Sequence, residues 1–258
     1  MPAKWTHRFE LKPGRWVFNP SPEARLEGAE IKALLGERWE PPSNYFHLLR
    51  GGHVRALQLH TPHSHFFKVD LADFFGSISR SRVSRVLKEH FGHSEALRIA
   101  TASTVRHPDI PGKTILPYGF LQSPLVASMV LQSSGLGTFL DAVQRRKGVA
   151  VTVYVDDIIV SSDDPGGLIS ISEELVRRVI KSGFSLNPEK SQGPSTAITA
   201  FNIELSAGNA LAVVEERLLE IKAVLEVSDN DFQRAGLLGY VRSVNADQAD
   251  SLEPTPAE

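Results

Sequence analysis

Apolar positions along this chain recur at two periods, and each change of period marks an element. His65 to Leu71 (HFFKVDL) is an apolar run of strand length, and the spacing of Val83, Val86, Leu87 and Phe91 predicts a helix after it, capped by Ser79 or Ser81. Six prolines mark the first 43 residues as irregular arms around one helix, Pro22 to Arg38, with Leu26, Ile31, Leu34 and Leu35 on one side. Between Tyr45 and Leu59, short alternating runs meet at Arg50-Gly51-Gly52-His53, where adjacent glycines predict a hairpin tip. Leu125 to Val143 carries no charge before Asp141 and reads as one buried helix. Gly148 to Val160 places β-branched residues on both sides of Asp156-Asp157, the pattern of a hairpin with acids at its turn. Leu168 to Lys181 is helical and closed by Gly183, followed by strand or loop from Phe184 to Lys190. Ala197 to Leu205 and Ala210 to Val214 read as a hairpin turning at Gly208-Asn209, with helices over Glu215 to Val227 and Asp231 to Val244.

The composition places this pattern among ordinary globular chains. The 258 residues are 41% hydrophobic and 22% charged, enough apolar material for one domain or two small ones. There is no cysteine, which excludes disulfide scaffolds, cysteine zinc sites and thiol nucleophiles. No apolar run approaches the roughly 18 residues of a membrane span, and the first residues lack a secretory pattern, so a cytoplasmic location is expected. Net charge is −2, but it is unevenly spread. Asn44 to Arg98 holds eight Lys/Arg against four acids, whereas Glu204 to Glu258 holds four against eleven. A basic excess around a few acids suits metal-dependent phosphate chemistry and also suits solvated helix faces.

The acids narrow the choice. Two adjacent carboxylates, Asp156 and Asp157, within a run of Val, Tyr and Ile are costly to bury without a partner, although acids in a tight turn are also ordinary turn chemistry. A divalent cation is a natural partner, and Mg²⁺ takes oxygen ligands from one or two carboxylates together with substrate phosphates. Asp70 ends another apolar run, 86 residues earlier. Adjacent strands would bring the three acids to one edge, able to hold two metal ions roughly 3.5 to 4 Å apart.

At this point the residues are similar to a known family. Tyr154-Val155-Asp156-Asp157 resembles the YxDD box of reverse transcriptases, and Asp70-Leu71-Ala72-Asp73-Phe74-Phe75 resembles their first aspartate motif. In family order, Leu116-Pro117-Tyr118-Gly119 with Gln122-Ser123-Pro124 resembles the LPxGxxxSP segment, and Gly183-Phe184 with Leu186-Asn187 and Lys190 the GFxxNxxK segment. Tyr45 with Arg50-Gly51-Gly52 and Arg55 is similar to the fingers hairpin, Phe201-Asn202-Ile203 to the primer-grip strand, and Leu238-Gly239-Tyr240 to the thumb of bacterial members.

The resemblance, over about Tyr45 to Val244, implies an α+β fold: a polymerase palm, a split βαβ antiparallel sheet with helices on one face, with reduced fingers and a short helical thumb. Residues 1–65 would be an N-terminal extension and fingers, 66–200 the palm, 201–246 the primer-grip strand and thumb, and 247–258 a disordered tail. It implies an RNA-directed DNA polymerase of the retron-type or defence-associated kind, extending a 3′-hydroxyl with dNTPs. Asp70, Asp156 and Asp157 would ligate two Mg²⁺ ions, replaceable by Mn²⁺, with the Leu71 carbonyl as a further ligand. Arg50 and Arg55 would reach the triphosphate, Phe75 would exclude the sugar 2′-hydroxyl, Tyr118 and Gly119 would lie against the nucleotide pair, and Lys190 would serve the departing pyrophosphate. Partners would be an RNA template and primer, with a non-coding RNA or partner protein as further candidates and no membrane.

Two departures stand out: Tyr118 replaces a Gln or small residue, and only 15 residues separate Arg55 from Asp70, which shortens the fingers. Competing readings are a nucleotide cyclase, disfavoured by the YVDD turn, an RNA-dependent or template-independent polymerase, and a catalytically inactive nucleic-acid-binding or scaffolding subunit. His60, His63 and His65 could bind zinc, but without an evident fourth ligand they read as structural or phosphate-contacting groups. Ser77, Ser79, Arg80, Ser81 and Arg82 could hold phosphate at a helix start or simply cap it.

Overall fold

The computed structural model describes residues 3–253. The chain begins with an antiparallel hairpin, β1 (Trp5–Lys12) and β2 (Arg15–Pro20), where the proline count predicts irregular arms. Its tip is Pro13-Gly14: Gly14 has φ 77° and donates its N–H to Glu10 Oε1 at 2.7 Å. Helix α1 (Pro22–Arg38) has the predicted limits, set by Pro22 at the start and the Ser21 side chain accepting from the Ala24 amide.

The second difference lies at Tyr45 to Leu59. A 3₁₀ turn at Phe46–Leu48 leads into helix α2 (Gly52–Gln58), not a hairpin. Gly51 and Gly52 do adopt positive φ, 94° and 54°, but they use it to start a helix that buries Ala56 and Leu57.

Next come β3 (His65–Ala72), α3 (Arg80–Ser103), the short pair β4 (Val105–Arg106) and β5 (Thr114–Ile115), and two helices, α4 (Ser123–Gln132) and α5 (Gly135–Gln144). Sequence periodicity predicts α4 and α5 as one helix. The Ser134 side chain breaks it by accepting from the Gly137 amide as a new cap, and a Cβ on Gly137 would lie 2.3 Å from the Leu131 carbonyl oxygen. β6 (Val149–Tyr154) and β7 (Asp157–Ser162) form the predicted hairpin, followed by α6 (Pro165–Lys181), β8 (Ser185–Leu186) and β9 (Gln192–Ser195).

The central sheet runs β6-β7-β3-β8, with β9 pairing β3 beyond β8, and its pairings are antiparallel. This is the split βαβ order, and it gives the α+β palm. Alternation along the strands divides its faces. Phe67, Val69 and Leu71 of β3 join Val151, Val153, Ile158 and Val160 in the large core built with α1 and α3 to α6. Phe66 and Ile159 face the other way, into a second cluster with Leu57 of α2 and Ile198, Ile203 and Leu205. Helices thus cover one face, and the opposite face is closed by α2 and a small sheet of β10 (Ala197–Ala200), β11 (Ile203–Ser206) and β12 (Ala212–Val213).

Ala197 to Leu205, one strand by sequence pattern, is itself a hairpin. It turns at Phe201-Asn202, whose φ values are 57° and 60°, while Gly208 lies in the predicted second turn. Helices α7 (Glu215–Val227) and α8 (Asp231–Val244) follow the prediction, but the first six residues of the expected disordered tail, 247–252, belong to a further helix, α9 (Ala246–Leu252). Gln248 of α9 accepts from the Val213 amide at 2.8 Å and donates to the Val213 carbonyl at 2.9 Å, acting as a side-chain rung beside β12. The remainder of that tail, 254–258, lies outside the described residues.

Two of the three clustered histidines are part of this packing, while His65 contacts the Ser64 hydroxyl beside it. Buried His60 hydrogen-bonds Ser161 Oγ at 2.7 Å and Thr152 Oγ1 at 2.8 Å, and His63 reaches the same Ser161 hydroxyl. Burial lowers the His60 pKa to about 3, so the ring is neutral. His60→Leu is expected to cost about 1–3 kcal/mol in urea unfolding at pH 7 by stranding Thr152. Because the folded pKa lies below the ordinary 6.5, wild-type stability should fall as pH drops from 6.5 toward 3, more steeply than in the variant.

Candidate active site

Register builds the acidic corner. β3 and β7 pair so that Asp70 stands directly opposite Asp157, and directly paired residues share a face of the sheet. That face is the one opposite the helices, the side of Phe66, Lys68 and Ile159. Asp156 lies in the two-residue turn between β6 and β7, closed by the Tyr154–Asp157 pair, and its carbonyl accepts the Leu71 amide at 2.8 Å. Val155 before it has φ 59°. A β-branched residue in the left-handed region costs roughly 1–2 kcal/mol, so the turn is strained beside the acids.

Each carboxylate faces a cation. Lys190 Nζ donates to Asp70 Oδ2 at 2.9 Å, Lys68 Nζ lies 3.2 Å from Asp157 Oδ1, and Arg15 Nη2 lies 3.9 Å from Asp156 Oδ2. The Lys68 contact is an ion pair without hydrogen-bond geometry, and Asp157 Oδ1 is a buried oxygen with no hydrogen-bond partner. Burial, then the Asp157 charge, then Asp70 push the Asp156 pKa up to about 6; burial also raises Asp157 against the opposing pull of Lys68. Oxygen donors of this charge, one of them met only by the Lys68 ammonium, fit a hard divalent cation. Among the described residues, no three His, Asp or Glu side chains already surround a common point. The carboxylates are engaged by Lys190, Lys68 and Arg15 instead.

The corner opens into a cavity of about 660 Å³ whose walls include Asp70, Leu71 and Asp156 together with Lys12, Arg15, Lys113 and Lys190. Arg50 and Arg55 do not line it. Arg50 precedes α2 and Arg55 lies within it, where Arg55 Nη1 contacts the Arg50 carbonyl at 3.4 Å. The cavity's arginine comes from the tip of the N-terminal hairpin, which sequence reasoning missed. Its signal was Pro13-Gly14-Arg15, a turn followed by a cation.

Arg15 is well fixed. It donates to the Tyr118 hydroxyl at 2.9 Å and stacks over the Tyr118 ring at 4.6 Å. Tyr118 in turn meets Phe75 edge-on, with centroids 4.7 Å apart, and Phe75 is buried beneath it. Gly119 has φ 102°, and a Cβ there would lie 2.2 Å from the Phe18 carbonyl oxygen. Its lack of a side chain therefore admits the backbone of β2, whose Phe18 amide donates to the Tyr118 carbonyl at 2.9 Å, where a nucleotide pair was expected. Ser79 caps α3, as predicted, by accepting from the Arg82 amide.

In chelator-treated protein, Asp156→Asn should raise stability by about 1–3 kcal/mol at pH 7 to 8. A carboxyl whose folded pKa is raised stabilises below its unfolded value, and that contribution is lost as pH rises through the folded one. The gain should therefore shrink as pH falls from 6 toward 3.8. Melting temperature across that window measures it.

Comparisons with known proteins agree with this geometry. The reverse transcriptase (RNA-dependent DNA polymerase) family profile matches residues 25–206. The retron Mx65 reverse transcriptase of Myxococcus xanthus is 29% identical over 208 residues, which cover 72% of this chain and 47% of that protein. The chain thus spans about half the length of that curated relative. Telomerase from Candida albicans, solved with a fragment of telomeric RNA, superposes over 89% of this chain and 47% of its own with a TM-score of 0.56 at 10% identity. A foamy viral protease-reverse transcriptase in complex with RNA/DNA hybrid matches over 72% of this chain and 23% of its own, at 18% identity and a TM-score of 0.47. Among the described residues no helix is long and apolar enough to cross a membrane. With the profile covering most of the chain and the acids of two separate motifs paired across one sheet, this protein belongs to the reverse transcriptase family.

Proposed function

We propose that this chain is the catalytic core of an RNA-directed DNA polymerase, a nucleotidyltransferase that joins dNTPs to a primer 3′-hydroxyl on an RNA template. The observation that carries the reading is the pairing of Asp70 with Asp157 beside Asp156, at a cavity whose wall carries Lys12, Arg15, Lys113 and Lys190 alongside the further acids Asp73, Asp109 and Glu189. Asp70, Asp156, Asp157 and the Leu71 carbonyl would hold divalent cations, two Mg²⁺ with Mn²⁺ as substitute. When bound, these supply positive charge to the attacking hydroxyl and the phosphates.

The remaining roles fall to the chain itself. Arg15, Lys12 and Lys113 are placed to receive triphosphate oxygens, guanidinium by paired donors and ammonium by point charge. Lys190, held above its usual pKa by the hydrogen bond to Asp70, keeps its proton and can pass it to the leaving pyrophosphate. Phe75, buried edge-on against Tyr118, would act on the sugar only through the Tyr118 ring over which Arg15 lies. The setting is a bacterial retron or anti-phage system in the cytoplasm, with a non-coding RNA or partner protein as companion. It rests on the likeness to the Myxococcus xanthus protein.

Purified protein with Mg²⁺ or Mn²⁺, a primed RNA template and labelled dNTPs should extend the primer, and Asp70→Asn should reduce extension by about three orders of magnitude. Wild-type extension no greater than that of Asp70→Asn would leave the inactive nucleic-acid-binding subunit as the better reading. Extension without template, or with NTPs preferred, would point to the template-independent or RNA-synthesising alternatives. Phe75→Ala should lower the preference for dNTP over NTP by about tenfold or more, read as the ratio of the two kcat/KM values. An unchanged ratio removes Phe75 from sugar selection.

A further inference from the structure

Just before α2, a histidine touches the strained turn of the acidic corner from behind. The Val155 amide donates to His47 Nδ1 at 3.0 Å, and His47 Nε2 lies 2.7 Å from Ser128 Oγ on α4. Ser128 Oγ in turn donates to the Pro124 carbonyl at 2.8 Å. These contacts allow one arrangement of protons. An amide N–H can only donate, so Nδ1 accepts; the ring proton sits on Nε2 and is donated to Ser128, whose own proton goes to Pro124. The edge of the ring also meets Tyr154, with centroids 5.9 Å apart.

We propose that His47 is a positioning residue for nucleotidyl transfer: its neutral imidazole holds the Val155–Asp156 turn in its left-handed conformation and thereby aims the Asp156 carboxylate. Val155 is β-branched, and its φ of 59° is one the isolated turn would leave. The amide hydrogen bond to His47, with the His47 contact to Ser128, ties it to α4, the helix that opens on Gln122-Ser123-Pro124. Burial lowers the His47 pKa to about 4 against the opposing pull of the Val153 backbone, so the neutral form prevails at neutral pH. His47 touches neither substrate nor metal ligand in these contacts; it acts through Val155. Sequence reading passed over it, because a histidine 108 residues from its partner offers no local pattern.

This inference rests on the polymerase reading for its kinetic arm only. Three variants separate the contacts by side-chain length. Asn carries an amide oxygen at the reach of Nδ1, Gln carries it at the reach of Nε2, and Leu carries neither. For primed RNA with dNTP, His47→Asn should keep kcat within about threefold of wild type, whereas His47→Gln and His47→Leu should lose about tenfold or more in kcat with dNTP KM changed less than about threefold. Independently of activity, NMR-detected exchange of the Val155 amide should stay slow in His47→Asn and accelerate at least about tenfold in His47→Leu.

Near wild-type kcat in both Gln and Leu variants, or a loss in Asn as deep as in Leu, overturns the assignment. So does a loss confined to KM. Were wild type itself inactive, the polymerase reading would fail, and Val155 exchange unchanged in His47→Leu would separately overturn the positioning role.

Discussion

The arrangement of this protein depends on the register between β3 and β7. A shift by one residue would turn every β3 side chain to the opposite face, carrying Asp70 into the helix-covered core and Val69 out to the acidic corner. Phe67, Val69 and Leu71 resist that shift, each burial being worth roughly 1.5–3 kcal/mol. Burying the acids and then crowding them, by contrast, costs on the order of 1–3 kcal/mol through Asp156. The apolar term is the larger, so the core on one face dictates an unfavourable charge arrangement on the other. A family defined by paired aspartates is in this sense also defined by the alternation beside them.

Cations from three parts of the chain answer the acids: Lys68 from within β3, Lys190 from the turn after β8, and Arg15 from the N-terminal hairpin. Lys68 and Asp157 are both largely shielded from water, so their attraction is strong and fixed, whereas Lys190 is half exposed and Arg15 sits at a long 3.9 Å. The corner thus has one sheltered ion pair at Asp157, one partly exposed pair at Asp70 and one long contact at Asp156.

Much of this was legible in the sequence. The strands carrying Asp70 and Asp157 are apolar on both sides, and α1 has Ser21 and Pro22 to announce it. What stayed hidden shares a cause: local signals with two uses. Gly51-Gly52 can turn a hairpin or start a helix, and Ser134 can sit within a helix or cap a new one. Phe201 and Asn202 adopt positive φ without glycine, so their turn was invisible. The N-terminal hairpin was missed because β1 is exposed almost throughout and has little apolar alternation to bury. With it went Arg15, while Arg50 and Arg55, assigned by resemblance to the same task, lie outside the cavity.

β1 is held chiefly through β2, which is anchored by Phe18 and by the notch at Gly119, while β3 and β7 are sealed between two apolar clusters. Releasing the hairpin uncovers a small cluster in which Phe18, Trp5 and Trp16 pack on Val105, Ile115 and Phe120, whereas parting the central strands uncovers the two larger ones. Floor and wall of the cavity therefore rest on separate cores of unequal size, the larger ones beneath the aspartates and the smaller beneath Arg15.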